Sequence, residues 1–269
     1  MLEKIKETAS YIKNKIDFQP DVGIVLGTGL GGLVNEIDIH FERDYQAIPN
    51  FPVSTVEGHK GKLIFGMLGE KKIVAMQGRF HFYEGYTIQQ IVFPIRVLKF
   101  LGIRYLFLSN ASGGVNPEFD IGDLMILEDH INLLPNPLIG KHYEEYGTRF
   151  PDMNNTYSPE LIKKAEEIAS RENISIKKGV YTATSGPTYE TPSEYHYFRI
   201  IGSDTVGMST VPETIVAHQM GIPCFAISII TDLGIPGKIE KITHEGVQNV
   251  AAKAEQKMTL VMKELIASL

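Results

Sequence analysis

Short apolar runs alternate with amphipathic helical patterns along almost the whole 269-residue chain, and this alternation restricts the fold more than any other feature. Strand character is concentrated at residues 22–26, 62–68, 72–76, 104–108, 124–127, 179–184 and 223–230. Between them lie helical spacings. Leu2, Ile5, Ala9, Ile12 and Ile16 mark a helix ahead of the first strand, and residues 87–101 and 159–170 are apolar-periodic. Thr191-Pro192-Ser193-Glu194 reads as an N-cap, a proline at the first helical position and a glutamate at the third, so a helix is predicted to about Ile201. From His244 onward, Val247, Val250, Ala254, Met258, Val261 and Leu265 form one stripe of a long C-terminal helix. The expected architecture is a single α/β domain over residues 1–269: a mixed, mostly parallel sheet flanked by helices. Ligands in such folds sit at the C-terminal ends of strands.

Composition narrows the function classes. A hydrophobic content of 43% with 22% charged residues supports a buried core and argues against disorder. The net charge of −6 comes from interspersed signs, so no broad basic surface for nucleic acid is expected, and an anion must be captured locally. Cys224 is the single cysteine and lies in an apolar run, which excludes an internal disulfide and suggests a core thiol. The N-terminus alternates charges where a signal peptide needs apolar residues, and no run nears the roughly 18 apolar residues of a membrane span. A cytoplasmic location without membrane attachment is expected.

The chemistry is carried by short glycine-bounded segments. Gly78-Arg79-Phe80-His81-Phe82-Tyr83-Glu84-Gly85 places a fixed cation, an imidazole and a phenol together, a combination suited to phosphate or carboxylate oxygens. Gly27-Thr28-Gly29-Leu30-Gly31-Gly32 matches Gly-x-Gly-x-x-Gly after a strand, but the following residues 35–52 lack the apolar helix of a dinucleotide site. A loop cradling one phosphate through its N–H groups and Thr28 fits better. His59, flanked by Gly58 and Gly61, is a further anion candidate. Asn110-Ala111-Ser112-Gly113-Gly114 closes another strand with small residues that permit close approach of a ligand.

Ser209 and Thr210, in Gly207-Met208-Ser209-Thr210-Val211-Pro212-Glu213, form a hydroxyl pair where a helix begins, and backbone dipoles there favour an anion. Gly186-Pro187-Thr188-Tyr189-Glu190-Thr191 sets an aromatic ring beside a carboxylate, able to stack on a heterocycle and accept from its ring N–H. The eight histidines lack metal-ligand spacing, no cysteine cluster exists, and no Gly-x-Ser-x-Gly elbow marks a serine hydrolase. Residues 132–157, rich in Pro, Asn, Gly and Tyr, read as a long functional or intersubunit loop.

In their order these segments resemble the trimeric, low-molecular-weight class of purine nucleoside phosphorylases, nearly end to end. The resemblance implies phosphorolysis of purine nucleosides and deoxynucleosides to free base and (deoxy)ribose 1-phosphate, with inorganic phosphate as co-substrate and neither metal nor organic cofactor. It implies a phosphate site of Thr28, His59, Arg79, His81, the backbone of Ala111, and Ser209. It implies ribose contacts from Tyr83, Met208 and His244, base contacts from Tyr189, Glu190 and Asp232, and a homotrimer with sites near subunit interfaces. His81, Glu190 and Asp232 are the expected catalytic groups, with 6-oxopurines preferred because Glu190 would accept from N1–H.

Two departures stand out. Asp232 occupies a position where many members of that family carry Asn; only a protonated Asp can donate to purine N7, whereas an ionised one accepts from the amine of adenine. Adenosine use is therefore expected alongside inosine and guanosine. The loop after Asn132 is short, so the aromatic residue that the family lends from a neighbouring subunit is not assignable. A methylthioadenosine phosphorylase and a non-catalytic nucleotide-binding module are the alternative readings.

Overall fold

Val22–Leu26 (β1) is buried at every position, as an apolar strand covered on both faces requires. The computed structural model that places it describes residues 1–27, 31–53, 55 and 60–269; Thr28 and His59 lie outside the described residues. β1 pairs in parallel with Lys71–Gln77 (β4) and with Tyr105–Gly114 (β5). Beyond β4 the sheet continues antiparallel through Lys62–Leu68 (β3) to Asp38–Asp44 (β2) at its edge.

On the other side, β5 leads through Thr205–Gly207 (β8), Ile176–Ala183 (β7) and Leu124–Asn132 (β6) to Cys224–Leu233 (β9). β9 then pairs back onto β5 in parallel, from Leu106↔Cys224 to Gly114↔Leu233. These five strands thus close on themselves, and the sheet is mixed, as the alternation of elements predicts.

The two faces carry separate cores set by the period of two along each strand. Val25, Val74, Met76, Leu106 and Leu108 face one core, which is covered by Leu2–Lys13 (α1), Ile88–Ile91 (α2), Phe93–Leu101 (α3) and Val211–Gln219 (α6). Ile24, Leu26, Ile73, Ala75 and Phe107 face the other, which is covered by Pro159–Arg171 (α4) and His244–Ala267 (α7). Pro192–Ile200 (α5) packs Tyr195 and Phe198 against Val115 and Val206 in a small third cluster. Among the described residues no helix is long and apolar enough to cross a membrane.

Several expectations need correction. The helical pattern at residues 87–101 is two helices: Thr87 caps α2 with a capping box, and Pro94, lacking an N–H, opens α3. β2 falls in residues read as irregular; all its residues are exposed except half-buried Phe41, so no apolar alternation announces it. β8, three residues long, is also absent from the sequence reading. Asn110–Gly114 belongs to β5 instead of following it, and β6 runs on to Asn132. Within residues 132–157 the regular structure beyond β6 is a single short 3-10 turn, Glu144–Tyr146.

Candidate active site

A cleft of about 500 Å³ opens where β1, β4, β5 and β9 end and α6 and α7 begin. Every described residue expected at the site lines it: Arg79, His81, Ala111 and Ser209, Tyr83, Met208 and His244, and Tyr189, Glu190 and Asp232. Gly27, which follows β1, is also on its wall. The expectations for Thr28 and His59 fall outside the described residues.

One end is rigid and built on a buried ion pair. Arg79, 1% exposed, donates from Nε and Nη2 to the two Glu213 carboxylate oxygens at 3.2 and 2.9 Å. Its Nη1 donates to the Ser109 carbonyl at 2.7 Å and to Ser209 Oγ at 3.3 Å. Glu213 in turn accepts from the Thr210 N–H at 3.0 Å, while Thr210 Oγ1 accepts from the Asn110 amide at 2.8 Å. These bonds hold Thr210 at φ +70, a strained setting for a β-branched residue and one that persists only where neighbours over-determine it. The result is a fixed Ser209 hydroxyl at the start of α6.

His81 extends this end. Its Nδ1 and its backbone N–H both meet Glu84 Oε1, at 3.0 and 2.7 Å. Burial works to raise the Glu84 pKa, yet hydrogen bonds from His81 and Thr55 outweigh it and hold the carboxyl down at about 2. Glu84 is therefore ionised and accepts a hydrogen bond from Nδ1–H, which leaves Nε2 as the lone-pair nitrogen of the neutral ring. Burial pushes the imidazole pKa down, the Glu84 hydrogen bond opposes, and the Arg79 charge pushes further down. The balance disfavours the imidazolium form of His81 relative to a solvated ring.

The middle of the cleft is less polar. Tyr83 stacks on His81 with centroids 4.8 Å apart and planes at 15°. Gly186, at φ +59, lets Met208 lie close: a Cβ there would sit 2.3 Å from its sulfur. His244 opens α7, exposed, with its Nε2 3.0 Å from the Gln248 amide. Asn110 brings a buried Oδ1 without a partner among the described residues, an acceptor waiting for a donor.

The far end holds two carboxylic acids. Asp232 Oδ1 accepts from Thr231 Oγ1 at 2.9 Å, and its Oδ2 accepts from Tyr195 Oη at 3.4 Å. Burial raises the Asp232 pKa, against the pull of those two hydroxyls. Burial likewise pushes Glu190 up to about 7, and the Asp232 charge adds to the effect. Tyr189 stands beside them, partly exposed.

Three residues of this arrangement escape the sequence reading. Glu213 and Glu84 each sit at the third position of a helical turn, so each reads as a cap before it reads as an anchor for Arg79 or His81. Tyr195 reads as a core aromatic of α5, and nothing in its spacing announces a hydroxyl aimed at Asp232.

The fold and this cleft define an α/β protein whose site has the Arg79–Glu213 pair, His81 and Ser209 at one end and the carboxylic acids Glu190 and Asp232 at the other. The chain belongs to the phosphorylase superfamily, whose family model matches residues 21–267. It is 47% identical over 268 residues to purine nucleoside phosphorylase 1 of Bacillus subtilis, covering 99% of both chains. Its fold matches purine nucleoside phosphorylase of Schistosoma mansoni solved with adenosine, at a TM-score of 0.94 and 40% identity, over 99% of this chain and 97% of that one. A purine nucleoside phosphorylase of Schistosoma mansoni solved with inosine matches at a TM-score of 0.93 and 39% identity, over 99% and 96% of the two chains.

Proposed function

We propose that the chain catalyses reversible phosphorolysis of purine nucleosides and deoxynucleosides, with inorganic phosphate as co-substrate and no other cofactor. The observation that carries this reading is the single cleft with Arg79, His81 and Ser209 at one end and Glu190 and Asp232 at the other. The relatives' names, and the adenosine and inosine bound by the matching structures, support it.

In this reading Arg79, Ser209, the Ala111 N–H, Thr28 and His59 hold the phosphate, and neutral His81 accepts its remaining O–H at Nε2. A phosphate oxygen attacks C1′, the C1′–N9 bond breaks, and its electron pair moves into the purine. Phosphate also stabilises the positive charge that develops on the ribosyl ring, so the protein supplies position and field more than covalent chemistry. Tyr83 and Met208 pack the sugar, His244 holds its 5′-hydroxyl, and the Asn110 Oδ1 accepts from a ribose hydroxyl. Tyr189 stacks on the base.

Ionised Glu190 accepts from N1–H of inosine or guanosine, and protonated Asp232 donates to N7 as charge accumulates there. Asp232 also opens the site to adenosine, whose 6-amino group needs an acceptor. The working unit in this reading is one domain over residues 1–269, assembled as a cytoplasmic homotrimer, with no nucleic-acid partner.

The test is release of free base from inosine, guanosine and adenosine, each with and without phosphate. Release dependent on phosphate is expected. Binding without turnover would favour the nucleotide-binding module, and turnover confined to 5′-thioether nucleosides would favour a methylthioadenosine phosphorylase.

A further inference from the structure

We infer that Tyr195 sets the base preference of the cleft: its phenol, fixed over Gly234, donates to Asp232 Oδ2 and biases that carboxyl toward the ionised acceptor that a 6-aminopurine needs. The inference rests on the phosphorolysis reading above and names what tunes its base end.

The placement begins in α5. Thr191 and Glu194 cap that helix, and Tyr195 and Phe198, three positions apart, turn one face of it onto Val115 and Val206. The Tyr195 ring is 1% exposed and lies against Gly234, where a Cβ would come within 2.2 Å of it. The backbone of Gly234 is tied in place, its N–H donating to the Gly114 carbonyl at 2.8 Å. Any residue with a Cβ at 234 would therefore displace the ring. From this seat the phenol donates to Asp232 Oδ2 at 3.4 Å.

Asp232 is itself held on several sides. On β9 it is in register with Gly113 of β5, and Gly113 is in register with Val206 of β8. A Cβ at 113 would come within 2.7 Å of Oδ2, so the glycine leaves that oxygen room beside the strand. The other oxygen, Oδ1, accepts from Thr231 Oγ1 at 2.9 Å. Asp232 lines the cleft and Tyr195 does not. Tyr195 is thus a positioning residue, which reaches the base only through the acid.

The two donors on Asp232 differ in what they enforce. Thr231 has one hydroxyl proton and a second acceptor, the Ser112 carbonyl at 3.3 Å. When Oδ1 carries a proton, Thr231 can turn to Ser112 and accept from the acid, so it suits either state. Tyr195 keeps its proton, since a phenol is a far weaker acid than a carboxylic acid, and it donates to Oδ2 in both states. A bond to an ionised oxygen is about twice as strong as one to a neutral oxygen, so this donation favours the carboxylate. It opposes burial, which favours the neutral acid.

The substrate reads the state of Asp232. An ionised Asp232 accepts from the 6-amino group of adenine, and a protonated one donates to N7 of a 6-oxopurine. Tyr189 and Glu190 share this end of the cleft, and His244 opens α7; Gly113 and Val206, in register across β5 and β8, carry no charge. Removing the Tyr195 hydroxyl therefore shifts the cleft toward 6-oxopurines.

The deciding experiment is Tyr195→Phe, which keeps the ring in its seat and deletes the donor. With phosphate saturating, the adenosine-to-inosine ratio of kcat/KM should fall about fivefold, the worth of one long hydrogen bond, with the KM for phosphate little changed. In an Asp232→Asn background there is no carboxylate to bias, and loss of the hydroxyl should no longer lower the ratio. A ratio unchanged in the single variant overturns the inference. So does an equal fall in both backgrounds, since Tyr195 would then act through packing alone.

A second readout needs no turnover. The Asp232 carboxyl of the ligand-free protein, followed by 13C and assigned by its loss in Asp232→Asn, should titrate about 0.7 pH unit higher in Tyr195→Phe, the same fivefold written as a pKa. An unmoved titration ends the proposal whatever the turnover. Absence of phosphate-dependent release from any nucleoside ends the phosphorolysis reading instead, and the titration still decides whether Tyr195 governs Asp232.

Discussion

Arg79 and Glu213 meet through two side-by-side hydrogen bonds at 3.2 and 2.9 Å, with side chains only 1% and 3% exposed. A planar fork against a carboxylate fixes the plane and rotation of the guanidinium, so its remaining donor edge faces the Ser109 carbonyl and Ser209.

Removing one partner of such a pair strands the other charge in the interior. Glu213→Ala is expected to destabilise the protein by about 3–5 kcal/mol and to raise the KM for phosphate, because Arg79 and Thr210 both lose their anchor. Denaturant unfolding and phosphate saturation curves measure the two effects. A variant as stable as the parent would show that the pair carries no orienting role.

Glu84 holds the His81 ring by its Nδ1 proton. Glu84→Gln should raise the KM for phosphate by about tenfold, through loss of a charge-assisted hydrogen bond, and leave base preference unchanged. Its own pKa is depressed to about 2, so the stability it lends is present above the ordinary carboxylate range and is lost as pH falls through about 2.

Glu190 behaves oppositely. Its folded pKa is raised to about 7, so the folded state holds a proton that the unfolded chain gives up near pH 4. Its contribution to stability is fully present below the unfolded value and is lost as pH rises through about 7. Glu190→Gln should therefore raise Tm relative to the parent at alkaline pH, by a few degrees for a gain of about 1–2 kcal/mol, and by little in acid. An equal shift at both ends of the range would mean that the carboxylate is not destabilised by burial.

Asp232→Asn removes the acceptor proposed for the 6-amino group and supplies a permanent donor. The adenosine-to-inosine ratio of kcat/KM should fall by about tenfold or more, the worth of one buried hydrogen bond to a charged group. An unchanged ratio would detach Asp232 from base choice.

His244→Ala should slow nucleosides bearing a 5′-hydroxyl more than their 5′-deoxy analogues. Steady-state rates on the two substrate sets are the measurement, and equal losses would remove His244 from the sugar.

Much of the fold was legible because buried strands read as continuous apolar runs: β1 and β3 appear with the limits expected. β2 was not, since DIHFERD lies at an exposed edge and carries no apolar face. The polar and small residues Asn110–Gly114 read as the close of a strand ending near Leu108, yet they continue β5, because pairing with β9 does not require apolar side chains. At the site, chemistry-bearing residues beside glycines were readable. Their supports were not. Glu213 and Tyr195 act across 134 and 37 residues of chain on Arg79 and Asp232, and only the tertiary fold brings such distant positions together.

The closed ring formed by β5, β8, β7, β6 and β9 divides the molecule into regions of unequal tolerance to change. Asn110 and Ala111 are set in β5, paired with Ser228 and Ile229 of β9, where a shift in one strand is felt by the other. Glu190 lies outside the ring, in the segment that leads into α5. Asp232, by contrast, is held within β9 and paired with Gly113, so of the two acids only Glu190 sits where the chain can change without disturbing the ring.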